Sequence, residues 1–334
     1  MTPRDTLLIT HNSLHPALRR ELAARGLVLR KSRCWQDADR STPERILGAY
    51  TWFYEVFHHP KTIWSMHRFL RQQGIPLFVW NLDAPHYLSF NIPTRRWRLN
   101  LLNIARLFDI YATHTLIDKR RSFADTVLNL PNAADPTRYN LRGEPFETLH
   151  RLRNPSSYRW DVSFFGGMDG KRYKEDRARQ EFFSALAKRL KAAGIRYRFI
   201  DTVNEDISLE DQINLIQTSR INLNFGARCE YGAPVASGLP ERCYGIPACG
   251  GFLLCDKRTH AKDDFTPGDN WAEFDGLDDC VAKIEYWLAH FDAARDVAER
   301  CYHHVMAHHT YAHRAEKLHN ALLAWHSGQR GLIR

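Results

Sequence analysis

At 334 residues the chain is too long for one ordinary hydrophobic core and long enough for two. Its 44% hydrophobic and 25% charged residues, with no proline-rich, glycine-rich or repeated tract, exclude a disordered, fibrous or solenoid protein. Of a net charge of +9, residues 1–150 hold +8, with 21 Lys and Arg against 13 Asp and Glu, so the first half attracts anions while the remainder is nearly neutral.

Short apolar runs alternate with helical patterns, which predicts βα units on mainly parallel sheets. In the first half the expected strands are 6–10, 27–31, 50–57, 75–82, 108–112 and 126–130, with helices such as 16–25 and 61–73 between them. The polar, proline-bearing stretch PNAADPTRYN follows, and aperiodic sequence continues to Tyr158, which places a domain boundary between Asn140 and Tyr158. A second series then begins, with strands at 160–165, 196–201, 221–225, 251–255 and 271–274 and helices at 177–193 and 209–218. Residues 277–325 read as two or three amphipathic helices. The expected organisation is a doubly wound lobe over 1–150, a second over 151–310, and a C-terminal helical segment over 311–334 that packs back on the first lobe.

Residues 1–10 lack the basic, apolar and small-residue succession of an export signal, and no apolar run approaches the roughly 20 residues that span a bilayer. The expectation is a cytoplasmic chain, soluble or peripheral to the inner face of a membrane, or resident in a host cytoplasm if phage-encoded. Seven cysteines without a CxxC pair, several beside apolar strands, point to reduced thiols rather than disulfides or zinc. His303, His304, His308, His309 and His313 include i,i+4 pairs, but no HExxH-like carboxylate accompanies them, and no metal is expected.

Three segments carry candidate chemistry. In DVSFFGGMDGKRYKEDRARQEFF an apolar strand runs into Gly166 and Gly167, then Gly170, Lys171 and Arg172, before a helix. Glycines admit a phosphate close to the backbone, helix N-terminal amides face it, and the basic side chains neutralise it. In RINLNFGARCEYGAPVASGLPERCYGIPACGGFLLCD, Arg242 opens a short helical stretch where its guanidinium would meet a diphosphate, and Gly250 and Gly251 lead tightly into the next strand. In the first half, Asp83 ends the strand 78–82 and is the first candidate for a general base, with His11 and His15 in the first strand-to-helix loop as alternatives or acceptor contacts.

The ordered motifs SFFGG, INLNFG, RCYGIPACGGFLLCD and HTYAHR, over 161–314, resemble those of GT-B glycosyltransferases of the group 1-like, spore-maturation subgroup. PLFVWNLDAPHY, FDIYATHT and VLNLPNAADPTRY in the first half resemble that group more loosely. The resemblance implies an α/β GT-B fold of two Rossmann-like lobes facing across a cleft, and a metal-independent enzyme without cofactor, using a nucleotide sugar, foremost a UDP-sugar. It places Gly166, Gly167 and Arg242 against the donor diphosphate, with Asn222, Asn224 and Tyr244 shaping the pocket. One departure stands out. The acidic residue that the family sets after the aromatic, where it accepts hydrogen bonds from the donor ribose, is Gly245 here, and Glu241 is the nearest carboxylate that could replace it.

For the acceptor, Lys61, Trp64, Arg68 and Arg71 share one side of a helix, and TRRWRLN adds Arg95, Arg96, Trp97 and Arg98. Cations interleaved with aromatics bind phosphate backbones and exposed bases, or seat a protein on an anionic membrane. The partner expected beside the donor is therefore a large anionic acceptor, a surface glycan or lipid-linked saccharide. The alternatives are a hydroxymethylated base in phage-type DNA, a noncatalytic nucleic-acid-binding protein on the same fold, and a sugar-nucleotide epimerase.

Overall fold

The structure is a computed structural model that describes residues 5–32, 35, 45–82, 93–114, 123–226 and 236–333. In chain order the elements begin β1 (Asp5–Ile9), α1 (Pro16–Ala24), β2 (Val28–Lys31), β3 (Arg45–Thr51), α2 (Glu55–His58), α3 (Pro60–Gln72), β4 (Leu77–Asn81), α4 (Pro93–Ala105), β5 (Phe108–Thr113) and β6 (Ala124–Asn129). They continue with α5 (Pro145–Leu152), β7 (Trp160–Gly166), α6 (Arg177–Ala192), β8 (Tyr197–Asp201), α7 (Leu209–Gln217), β9 (Ser219–Asn224), α8 (Arg242–Ala248) and β10 (Leu253–Asp256). The last are α9 (Ala261–Asp264), β11 (Ala272–Phe274), α10 (Gly276–Ala289), α11 (Phe291–His308), α12 (Tyr311–His326) and β12 (Gly331–Ile333). The chain forms two compact units, Met1–Pro131 with Tyr311–Arg334, and Asn132–Thr310.

The first unit is built on a parallel seven-stranded sheet in the order β12-β6-β5-β4-β3-β1-β2. Because consecutive strands β3, β4 and β5 step in one direction, right-handed crossovers place α3 and α4 on the same face of the sheet. Ile63, Met66 and Leu70 of α3 and Leu99 and Leu102 of α4 are buried there in one cluster. The C-terminal α12 packs with α1 and β3, and Gly48 in the middle of β3 makes room for it: a Cβ at that position would lie 2.8 Å from the Leu322 Cδ2. One expected strand is corrected. Residues 50–57 are the end of β3 followed by the short helix α2, because a run this nearly apolar carries no period to separate strand from helix.

The second unit carries a parallel five-stranded sheet, β11-β10-β9-β7-β8. Its core is aromatic, with Phe164 stacked on Phe183 at 4.0 Å and Phe182 on Phe225 at 3.8 Å between ring centroids. Residues 132–150 belong to this unit: the Asn132 Nδ2 donates to the Leu239 carbonyl, the Ala134 amide to that of His309, and the Tyr139 hydroxyl to the Gln212 Oε1. Cys243, Cys249, Cys255, Cys280 and Cys301 are buried free thiols, and burial pushes Cys249 and Cys280 each up to about 12. No helix among the described residues is long and apolar enough to cross a membrane.

Candidate functional site

In an open parallel sheet, ligands bind beyond the carboxyl ends of the strands. In the second unit that position holds a cavity of about 810 Å³, lined by Phe165, Gly166 and Gly167 at the end of β7, Arg172, Tyr173 and Arg179 from the loop and helix that follow, Thr202 after β8, Gly226 after β9, and Arg242 at the start of α8.

The loop after β7 is held by carboxylates placed at its turns. Asp201, the last residue of β8, accepts from the amides of Met168 at 2.8 Å and Val203 at 3.1 Å and from the Asn204 Nδ2 at 2.7 Å. Asp169 accepts from the amides of Lys171 and Arg172, both at 3.0 Å, and the Arg172 amide above all holds its carboxyl below the ordinary value. Gly170 has no room for a side chain, since a Cβ would lie 2.6 Å from the Arg177 Cα.

Arg242 is the feature of greatest chemical consequence. Its guanidinium lies 4.8 Å over the Phe164 ring and 5.9 Å from that of Phe165, and its Nη1 is shut off from solvent with no hydrogen-bond partner. Burial pulls its pKa below the usual arginine range. Asp256, whose charge pulls the other way, is already engaged. Asp256 is saturated by Arg258 through Nε at 3.1 Å and Nη2 at 3.0 Å, by the Asn224 Nδ2 at 2.7 Å and by the Gly226 amide at 3.0 Å. A buried cation left in this way is costly unless an anion joins it.

A second arginine frames the cavity. Arg179, 7% exposed, donates from Nη1 to the Gly167 carbonyl at 2.7 Å, from Nε to that of Phe225 at 2.9 Å and from Nη2 to that of Gly226 at 2.9 Å. It stitches the loops after β7 and β9 to each other. Sequence reasoning missed it; the signal was its register with the apolar stripe Phe182, Phe183, Leu186 and Leu190 of α6.

The other expected donor residues fall into two groups. Gly166, Gly167, Arg172 and Arg242 come together on the cavity, and Lys171 is exposed on the same loop. Asn222, Asn224, Tyr244, Gly250 and Gly251 do not line it. Asn222 is buried, accepting from the Ser163 Oγ and donating to the carbonyls of Ile216 and Phe252, and Asn224 holds Asp256. Tyr244 donates to the Asp264 Oδ2 at 2.5 Å, among Phe265 and His309. Gly250 and Gly251 admit close packing: a Cβ at Gly250 would meet the Leu141 and Leu152 side chains at 2.8 Å, and one at Gly251 the Ile216 Cγ2 at 2.6 Å. Nor are the amides of Cys243, Tyr244 and Gly245 in α8 free for a phosphate, because they bond to the carbonyls of Pro240 and Glu241. His304 and His309 share a hydrogen bond at 3.0 Å, His304 also bonding the Asp264 carbonyl, and among the described residues no cluster of His, Cys, Asp or Glu could hold a metal ion.

A smaller hollow of about 190 Å³ shares Phe165, Pro240 and Arg242 with the main cavity and adds Tyr139, Glu241 and Gly245. The Tyr139 ring fills the space a side chain at 245 would take, its Cγ lying 3.3 Å from such a Cβ. Burial raises the Glu241 carboxyl above its ordinary value, against the pull of Arg138 and with Asp135 adding to the rise.

In the first unit, His11 follows β1 at the carboxyl end of its sheet. Its ring stacks on Trp52 at 5.0 Å, its Nδ1 accepts from the Ser13 amide, and its Nε2 lies 3.8 Å from the Glu55 Oε1. His15 caps α1, accepting from the Ala17 amide, and stacks on Tyr311 at 4.5 Å. Lys61, Trp64 and Arg68 are exposed on α3; Asp83 and the side chains of Arg95, Arg96 and Arg98 lie outside the described residues.

Residues 174–320 match the model of a family described as glycosyl transferase-like. Over nearly the whole chain the structure is similar to sucrose-phosphate synthase from Thermosynechococcus elongatus, with a TM-score of 0.57 at 13% identity, covering 98% of this chain and 100% of that one. It is also similar to the N-terminal domain of trehalose-6-phosphate phosphatase from Candida albicans (0.55, 12%, 98% and 97%) and to a glycosyltransferase from Rickettsia africae (0.52, 11%, 97% and 99%). The fold is GT-B. No curated protein matches the sequence. The matched family segment begins inside the loop after β7, just past Arg172, and includes Arg179, Glu241 and Arg242.

Proposed function

We propose that this GT-B chain is a glycosyltransferase whose second unit holds the diphosphate of a nucleotide sugar, foremost a UDP-sugar, against Gly166, Gly167 and Arg242. The observation that carries this is the Arg242 Nη1, enclosed, unpartnered and set at a glycine turn on a cavity of about 810 Å³. A diphosphate oxygen supplies the missing acceptor, and the bond strengthens as charge builds on the departing diphosphate, which lowers the barrier to transfer without a metal. Arg172, exposed at the rim, adds a second positive charge. Glu241, on the smaller hollow that adjoins Arg242, accepts hydrogen bonds from the ribose hydroxyls in place of the acid absent at Gly245. Asp83 takes the proton of the acceptor hydroxyl; His11, stacked on Trp52 with its Nδ1 already accepting from the Ser13 amide, is the alternative at the acceptor. The acceptor is a surface glycan or lipid-linked saccharide carrying negative charge, in keeping with the +8 of residues 1–150.

The test is calorimetry with UDP, GDP, ADP and the matching nucleotide sugars on wild type and Arg242→Ala. Binding of at least one diphosphate by the wild type and its loss in the variant is expected. No binding of any, or equal binding by both proteins, would remove the donor site. Transfer to hydroxymethylated duplex DNA but to no saccharide would replace the glycan acceptor with the nucleic acid.

A further inference from the structure

The outward side of α3 and α4 is built unlike the rest of the surface. Eight large hydrophobic side chains are exposed among the described residues, and four of them, Trp64, Trp97, Leu101 and Ile104, lie on these two neighbouring helices. Trp97, Leu101 and Ile104 are 63%, 44% and 78% exposed and stand at i, i+4 and i+7, within about 60° of arc on one side of α4. The opposite side buries Leu99 and Leu102 in the core, so α4 is apolar on two faces and only one of them is covered by its own unit. Between α4 and the α2–α3 corner lies an apolar hollow of about 540 Å³, lined by Val56, Phe57, Pro60, Trp97, Leu101 and Leu107.

Charge on the same helices is of one sign. α3 carries Lys61, Arg68 and Arg71, α4 carries Arg95, Arg96 and Arg98, and neither contains an Asp or Glu. The Arg68 guanidinium sits 5.6 Å over the Trp64 ring, an arginine and an aromatic presented outward as a pair. Exposed apolar side chains on helices whose charged residues are all basic are the composition of a surface that lies in the plane of a bilayer, where tryptophan and aliphatic side chains enter the headgroup boundary and cations meet acidic lipids.

We propose that the outer face of α3 and α4 docks the chain on an anionic lipid bilayer, with Trp97, Leu101 and Ile104 inserted and Lys61 and Arg68 at the headgroups. Nucleic acid would use the cations and could stack on the tryptophans, but it gives Leu101 and Ile104 nothing to cover them. The inference does not depend on the donor site, which belongs to the second unit.

The test is co-sedimentation of the full chain with vesicles of phosphatidylcholine alone and of equal parts phosphatidylcholine and phosphatidylglycerol. The chain should pellet with the mixed vesicles and stay in solution with the neutral ones. Trp97→Ser with Ile104→Ser should weaken that binding about tenfold or more at unchanged Tm, from the apolar burial removed. Lys61→Glu with Arg68→Glu should weaken it as well. A wild type that stays in solution with mixed vesicles would overturn the proposal. So would a serine variant that binds as well as wild type, and so would duplex DNA that binds the chain more tightly than the vesicles do and is indifferent to the serine substitutions.

Discussion

The guanidinium of Arg242 occupies the space that any side chain at Gly166 would need: a Cβ there would lie 2.8 Å from Nη2 and 3.0 Å from Nη1, with the Phe164 Cζ also at 2.9 Å. The glycine at the end of β7 and the arginine at the start of α8 therefore form one device, in which the absence of a side chain sets where the cation rests. Gly166→Ala should displace the guanidinium while leaving the sheet intact. Losing one charge-assisted hydrogen bond to phosphate predicts nucleotide binding weaker by roughly 10- to 100-fold in calorimetry. Unchanged affinity would show that the diphosphate does not rest on this pair.

Arg242 itself should trade stability for function. Its enclosed Nη1 has no acceptor and burial disfavours its charge, so the unliganded fold carries an uncompensated cation. Arg242→Met, which keeps the stem packed over Phe164, should raise the Tm of the unliganded protein by a few degrees, on the order of 1–2 kcal/mol. The same variant should lose about 10²–10³ in kcat if the guanidinium stabilises the leaving diphosphate. Thermal melts with and without nucleotide check both halves, since ligand should raise the Tm of wild type and not of the variant. A variant that is destabilised without ligand would mean that the arginine is structural.

How much of this was legible in the sequence varied with the kind of signal. The run 160–165 and the helix 209–218 are bounded by polar residues and reappear within a residue as β7 and α7. The run 50–57 could not be divided, since ILGAYTWFYEVF is apolar through both β3 and α2 but for Thr51 and Glu55, which set up no period. The three residues of β12 are paired by their place beside β6, which no local pattern encodes. At the site, SFFGG and Arg242 were readable because glycine turns and a helix-opening arginine are local features. The functions given to Asn222, Asn224 and Tyr244 were not readable. An inward polar side chain looks the same in sequence whether it faces a ligand or, as here, binds Ser163, Asp256 and Asp264.

Arg179 should prove indispensable without touching the reaction. Its planar fork serves three carbonyls on two loops, a geometry that lysine cannot reproduce. Both Arg179→Ala and Arg179→Lys should lower stability by about 2–4 kcal/mol in urea unfolding, because buried carbonyls are left unpaired. Nucleotide affinity should fall with the loss of loop order. A stable Arg179→Lys protein with wild-type affinity would show that the loops hold without the fork.

Glu241 makes a prediction in pH. Its carboxyl is raised above the ordinary 4.5 by burial, so at pH values above 4.5 the folded chain holds this proton longer than the unfolded chain. Stability then falls as pH climbs from 4.5 through the raised value and stays reduced beyond it, whereas below 4.5 both states are protonated and the group contributes nothing. Glu241→Gln, neutral throughout, should therefore raise the Tm of the unliganded protein at neutral pH and leave it unchanged near pH 4. If the carboxylate also receives the ribose hydroxyls, the wild type should prefer UDP to its 2′-deoxy analogue, and the glutamine variant should narrow that preference, since its amide oxygen is a weaker acceptor. A Tm gain of equal size at both pH values would place the effect in packing rather than charge. A deoxy preference untouched by the substitution would move ribose recognition elsewhere on the cavity.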